Sequence, residues 1–467
     1  MPSSPSPPLL DTILRSVARR YRLPAIPELT PASTPTPALV LAVTIEQARF
    51  ARARGETPDS GLARQFLEAL AQMIRDAMRP EQGDAVFQAM VLRHRFSRVR
   101  EYASLAAHAA QDRRRVRAAV GAIAHPAKLQ RVQPGPRREL LAKLYAAADS
   151  GAWPLLRDTA RRLALMGERA SGASVASLME NPALANLLRL EVLTRDGAVQ
   201  EYQKLWDRQG PAPASAEALA QGRASQRRGA AAEADAAQAL EVLAQRLDTA
   251  QSRKAPRYRI VTSMRVPGAL CTSGERAKGE WDVVLLRRAR SMGGAGVWDI
   301  ELLVEVKASI DAATTDFPRL RRGLHRLAQA DQGTVYPFAS RQGEVSVSGV
   351  SLRQLLGQDG GLPVCRAVPP LASKVLYCCD APAKAAPRWL TAASRMQLLS
   401  AVASLEFASV LAEARRVKVE DLRPVWHLLL EAPRWLSVLH QYQTLREVRE
   451  LMVHTDDLRA ACAGAAP

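Results

Sequence analysis

The chain has 467 residues, 47% hydrophobic and only 5% aromatic, with Lys+Arg 65 against Asp+Glu 46, a formal net charge of +19 and a pI near 10.4. That length allows two or three domains with real cores, and the charge points to a polyanionic partner, beside the blander reading of solvated Arg-rich faces. Five cysteines without a C-x-x-C pair argue against a zinc knuckle or a disulfide framework. With neither a signal-peptide core nor an uncharged run of transmembrane length, the expectation is a cytoplasmic protein with no membrane partner.

In chain order, residues 1–37 are rich in proline and serine and predict a flexible tail around a short helix at 9–22. Residues 38–208 predict a helical domain. In "RQFLEALAQMIRDAM", Phe66, Leu70, Met73, Ile74 and Ala77 recur at helical spacing, and Pro80 ends the run. The most basic part of this region carries Arg93, Arg95, Arg98, Arg100, Arg113, Arg114, Arg115 and Arg117 against Glu101 and Asp112. Two readings of it stand level: a nucleic-acid-binding helix pair that tracks phosphates, or a solvated helical face.

Residues 209–225 read as a linker, and the pattern then changes. A helix at 226–248 is followed by three strand-like runs, "YRIVTSMRVPGAL", "EWDVVLLRRAR" and "WDIELLVEVKAS". A mostly helical stretch at 310–332 follows, then shorter strand candidates, "TVYPFAS", "EVSVSGVSL" and "KVLYCCD". Cys378 and Cys379 read as buried strand residues. From 385 to 460 the pattern is helical again. Runs of helices, then strands, then helices do not make the alternating units of a (β/α)8 barrel. No GxxxxGK[ST] is present, and the histidines show no metal-ligand spacing.

Side chains alternate across a strand, so Glu280 and Asp282 share one face of their run, and Glu305 and Lys307 share one face of theirs. The 302–306 run is apolar on both faces apart from Glu305, which predicts a central strand covered on both sides. A carboxylate and an ammonium there are costly unless paired or bound to a cation. The glycine-rich 291–296 segment is the natural hairpin loop, and it lays the two acidic segments side by side. Magnesium suits such a place, because it takes one or two carboxylates and keeps several waters.

The pattern "GEWDVVLL … LLVEVKAS", on the second and third strands after a helix and a first strand, resembles the PD-(D/E)XK nuclease superfamily. The resemblance covers residues 226–381. It implies a restriction-endonuclease-like αβββαβ core, of α+β or α/β class, flanked by helical domains. By the same resemblance Asp282 and Glu305 are metal ligands for Mg2+ or Mn2+, the Val306 carbonyl is a further ligand, and Lys307 is the catalytic lysine. Glu233 matches the glutamate often found on the first core helix. Glu280 is an added acid within reach of the site, and Arg322, His325 and Gln329 are accessory candidates on one face of the following helix. Trp281 stands where some members have proline. The implied function is hydrolysis of phosphodiester bonds in nucleic acid, DNA ahead of RNA, in DNA repair or defence against foreign DNA, with the helical domains free to take a protein partner. The alternative is a non-catalytic nucleic-acid-binding scaffold with a degenerate core.

Overall fold

The computed structural model describes residues 8–24, 35–166, 169–211, 215–250, 257–270, 277–289, 296–356, 374–383 and 388–464. It is a mixed α/β protein with a sheet region and helical flanks. The chain divides into two compact units. The first comprises residues 1–70, 213–397 and 426–467, the second residues 71–212 and 398–425.

Among the described residues the first unit has seven strands: β1 (Tyr258–Arg265), β2 (Glu280–Arg288), β3 (Val297–Val306), β4 (Val335–Ser340), β5 (Gly343–Ser348), β6 (Val375–Cys379) and β7 (Met452–His454). Antiparallel pairing joins β1 to β2 and β2 to β3, and β6 lies parallel to β3 and to β7. The hairpin β4–β5 bridges β1 to β3 by short pairings, Arg265↔Ala339 on one side and Val297↔Ser346 with Trp298↔Val347 on the other. With β2–β3 also paired, five strands close into a ring, which no feature of the sequence predicts. The expected 291–296 loop falls mostly outside the described residues.

Alternation along the strands supplies two apolar faces, and helices cover both. On one face Val283, Leu285, Leu302, Val304, Leu376 and Cys378 pack against Ala232, Ala236, Leu240 and Leu243 of helix Ala216–Ala250. Helix Pro8–Ser16 adds Leu10, Ile13 and Leu14 there, and helix Thr455–Ala463 adds Leu458 and Cys462. On the other face Val284, Leu286, Ile300, Leu303, Val375 and Tyr377 meet helix Ile310–Ala328 through Ala313, Phe317, Leu320, Leu324 and Leu327. Val448 and Leu451 of helix Gln441–Leu451 complete that layer.

Several expected boundaries move. The first core helix starts at Ala216, so residues 216–225 are helix and not linker. The region at 385–460 is not wholly helical, because β7 pairs with β6 and helix Thr455–Ala463 packs on the first core helix. Residues 8–24 of the expected flexible tail are built onto the core, and Tyr21 donates its hydroxyl to the carbonyls of Ala381 and Cys379. The helical domain expected at 38–208 splits near residue 70, and its later part is joined by residues 398–425.

The second unit is all helical where described. Its larger core gathers Val116, Val120 and Ala124 of helix Ser97–Ala124 with Leu144, Leu156, Leu178, Leu184 and Leu187 from the helices that follow. A smaller core joins Ala89 and Leu92 to Val99, Val199 and Tyr202.

One close approach positions the site described below. Lys278 donates its backbone N–H to the Arg319 carbonyl at 3.1 Å and lies across Gly323 of helix Ile310–Ala328. A Cβ at residue 323 would stand 2.6 Å from the Lys278 Cβ and 3.3 Å from its backbone N and O. Gly323→Ala gains helix propensity of about 1 kcal/mol, yet overpacking against that backbone costs about 1–3 kcal/mol. We expect a lower denaturant midpoint for this variant, and a raised midpoint would mean that the 277–279 segment does not rest on the helix.

Candidate active site

Antiparallel pairing puts the start of β2 beside the end of β3. Val283 pairs with Val304, so Asp282, one step earlier, stands opposite Glu305. The Val306 N–H donates to Asp282 Oδ2 at 2.8 Å, which ties the two strands at that point. On β1, Ser263 lies between the Thr262↔Val283 and Met264↔Trp281 pairs with φ of 50°, a left-handed value unusual for a residue with a Cβ. The ladder is therefore distorted beside Asp282, as often happens next to functional sites.

Glu305 is the most enclosed charge of the site, at 0% exposure. Its Oε2 accepts hydrogen bonds from the ammoniums of Lys278 and, at 3.1 Å, Lys307. Its Oε1 has no hydrogen-bond partner among the described residues. Burial, and after it the nearby Asp282, push the Glu305 carboxyl up to about 8, against the opposing pull of Lys278 and Lys307. Lys307 shows the converse balance. Burial alone would lower its pKa, but Glu305, Asp316 and Asp282 together raise it, so the ammonium keeps its proton at neutral pH.

Asp316, on helix Ile310–Ala328, closes the cluster from above. It lies 3.5 Å from Lys307 and 3.9 Å from Lys278, and it accepts a hydrogen bond from the Tyr377 hydroxyl at 3.3 Å. Burial first, then the charges of Asp316 and Glu305, hold that phenol in its neutral form. Glu233, half-buried on the first core helix, faces the same strand end. Burial raises its carboxyl pKa, and Asp282 and Glu280 raise it further, while Arg341, 3.9 Å away, pulls it down. Glu280 is more exposed and pairs across the ladder with Arg265 at 3.3 Å.

The residues expected at the site thus divide. Asp282, Glu305 and Lys307 come together, and Glu233 stands within their electrostatic reach. The bond seen at Val306 is made by its N–H. Among the described residues, no three His, Cys, Asp or Glu side chains form a ready-made metal cage. Arg322, His325 and Gln329 are not with them. Asp316, Leu320, Gly323 and Leu327 mark the buried side of their helix, and at about 100° per residue the three fall on the opposite side, where they line a separate cleft.

Sequence reasoning missed Lys278, Asp316 and Tyr377. Asp316 carried a signal, because it interrupts an apolar stripe of Ala313, Phe317, Leu320 and Leu324. Lys278 and Tyr377 carried none, since neither belongs to a motif.

The expected nucleic-acid-binding segment is largely engaged within its own unit. Arg95 pairs with Glu413 at 3.4 Å, Arg98 with Asp196 at 2.8 Å, and Arg115 approaches Asp112 at 3.9 Å. Arg100 donates to the His94 carbonyl, and Arg117 to the carbonyls of Ala148 and Asp149. Arg93, Arg113 and Arg114 are exposed. Among the described residues no single helix is long and apolar enough to cross a membrane.

The Glu305 pKa has a consequence for stability. Its folded value lies above the ordinary carboxylate value, so between about pH 4.5 and 8 the folded state holds the extra proton and stability falls as pH rises. In metal-free buffer, Glu305→Gln should therefore gain on the wild type by about 1–3 kcal/mol as pH rises from about 5 to 8. Urea titrations across that range check this, and a constant difference would mean that the two lysines keep Glu305 ionised throughout. Comparison with protein-family models, with curated proteins and with solved structures finds no match to this chain, so its functional reading rests on the residues themselves.

Proposed function

We propose that the chain is a metal-dependent nuclease whose sheet unit is a restriction-endonuclease-like core acting on nucleic acid, DNA ahead of RNA, in the cytoplasm. The observation that carries this reading is the meeting of Asp282, Glu305 and Lys307 at one end of the paired strands β2 and β3, with Glu233 facing them. A role in DNA repair or defence against foreign DNA follows from the family resemblance alone.

The donor set fits the cation. Asp282 and Glu305 are hard oxygen donors, and the buried, unpartnered Oε1 of Glu305 is the kind of atom a divalent cation satisfies. Asp282 and Glu305 would hold Mg2+ or Mn2+, with the Val306 carbonyl and Glu233 next in line. When bound, such an ion polarises a phosphoryl oxygen and lowers the pKa of a coordinated water.

The chain's own residues do the rest. Lys307, kept charged and held by Glu305 and Asp316, offers a fixed positive charge to the negative charge that grows during phosphodiester cleavage. Asp282, tied to the β3 backbone, is held in place without rotamer freedom to spend on orientation. Tyr377 and Asp316 fix Lys307 from behind.

One observation favours the second reading, a nucleic-acid-binding protein that does not cut. The Lys278 ammonium already occupies Glu305 Oε2, so the carboxylate has an internal cation. The two readings separate on plasmid and single-stranded DNA with Mg2+ or Mn2+. The nuclease reading expects cleavage that falls by about 10²–10³ in Asp282→Ala and in Lys307→Ala. Cleavage surviving in both variants would mark a contaminant. No cleavage by the wild type, with salt-sensitive DNA binding intact, would favour the second reading.

A further inference from the structure

The far side of helix Ile310–Ala328 has its own chemistry. A cleft of about 460 Å³ lies between this helix and Thr444 of helix Gln441–Leu451. Arg321, Arg322, His325, Arg326 and Gln329 line it, and among the described residues none that lines it is acidic. The Arg321 guanidinium sits 5.9 Å from the Phe317 ring centroid, a position that braces the side chain. Arg326 is the decisive residue. It is only 9% exposed, and its Nη2 has no hydrogen-bond partner among the described residues.

A buried guanidinium with an unmet donor is costly to fold, because the desolvated charge is not repaid. The Nη2 atom is itself sealed from solvent, so a ligand completes it by drawing the guanidinium into the cleft that Arg326 lines. We propose that this cleft is a binding site for a small oligophosphate, a nucleoside di- or triphosphate or an inorganic polyphosphate, with a terminal phosphate reaching Arg326. The volume lies within the range of small-molecule sites, about 300–1,000 Å³. Three arginines without a carboxylate among them match a ligand that carries several negative charges, and the planar guanidinium forks suit phosphate oxygens. Thr444 and Gln329 add neutral hydrogen-bonding groups.

The partly enclosed position of Arg326 sets the ligand's shape. A terminal phosphate can enter a cleft end-on and present up to three oxygens. A backbone phosphodiester carries one charge and is flanked on both sides by its chain, so it meets the exposed rim at Arg322 and His325 but does not reach the buried group. The site also stands apart from the carboxylate cluster, since Arg322, His325 and Gln329 occupy the side of the helix opposite Asp316 and none of the cluster's acids or lysines lines the cleft. It does not depend on the nuclease reading.

Isothermal titration of the full chain in EDTA tests this, with inorganic triphosphate, ATP and a short DNA duplex as probes and sulfate as the simple-anion control. Triphosphate or ATP should bind more tightly than sulfate. Affinity should fall tenfold or more in Arg326→Gln and in Arg322→Ala, and should hold in Asp282→Ala. Arg322 is exposed, so its variant serves if the buried substitution impairs folding. Equal affinities for triphosphate and ATP assign the site to the phosphates alone, and tighter ATP binding adds a nucleoside contact. No binding of either at millimolar concentration overturns the proposal, as does binding that ignores both arginine substitutions. Duplex binding that depends on Arg326 as strongly as triphosphate binding does would also overturn it, and would assign the cleft to a nucleic-acid backbone.

Discussion

Everything around the sheet's acidic end follows from enclosing one carboxylate. Glu305 sits on a central strand, beneath helix Ile310–Ala328, with no exposed surface. An isolated carboxylate in such a place would simply take up a proton, and burial drives Glu305 that way. Two ammoniums moderate the cost. Lys307 arrives because it follows two residues later on the same face, whereas Lys278 must be delivered by a separate segment. That delivery requires the 277–279 backbone to lie directly on the helix, which requires Gly323. Asp316 then balances the second lysine, and Tyr377 hydrogen-bonds Asp316. A chain of local requirements thus runs from one buried oxygen to the sequence of the helix that follows its strand.

The cluster admits two chemistries because a lysine and a divalent cation answer the same need. With Lys278 in place, Glu305 has one satisfied oxygen and one that lacks a partner. An internal ammonium carries a single charge and gives hydrogen bonds, whereas a divalent ion also takes up oxygens from Asp282 and from water. Coordination by Glu305 would have to overcome both its proton and its hold on Lys278, so pH and metal affinity are linked at this residue. In the nuclease reading Lys278 lowers the cost of the empty carboxylate. In the scaffold reading it replaces the ion.

Local pattern revealed what local pattern determines. The strands β1, β2 and β3, the helix after them and the pairing of Asp282 with the end of β3 were legible from alternation, from the apolar 302–306 run and from the E-x-K spacing. The long helix was legible from residue 226 onward, because its Arg-, Ser- and Gly-bearing first turns look like linker composition. Strand β7 was hidden by its length of three residues, too short to show a period, and it forms because β6 offers it an edge. Helix Pro8–Ser16 was visible, but its burial was not, since proline and serine on either side masked an apolar stripe of Leu10, Ile13 and Leu14. The ring closed by β4 and β5 depends on three pairings at distant positions, and nothing local encodes them. The same limit hid Lys278 from the site.

Net charge deserves less weight than geometry in assigning a partner. The segment at 93–117 looked like the basic face of a nucleic-acid-binding helix pair, yet Arg95 and Arg98 pair with acids and Arg100 and Arg117 donate to backbone carbonyls. Those side chains are held by this chain's own groups, which accounts for their places without an outside partner, although such exposed ion pairs contribute little to stability. Arg326 is less conspicuous in the sequence and more informative in the fold, because its position is costly and its own unit does not fully satisfy it. A charge neutralised where it stands explains structure. A charge held buried with a donor unmet calls for a partner from outside.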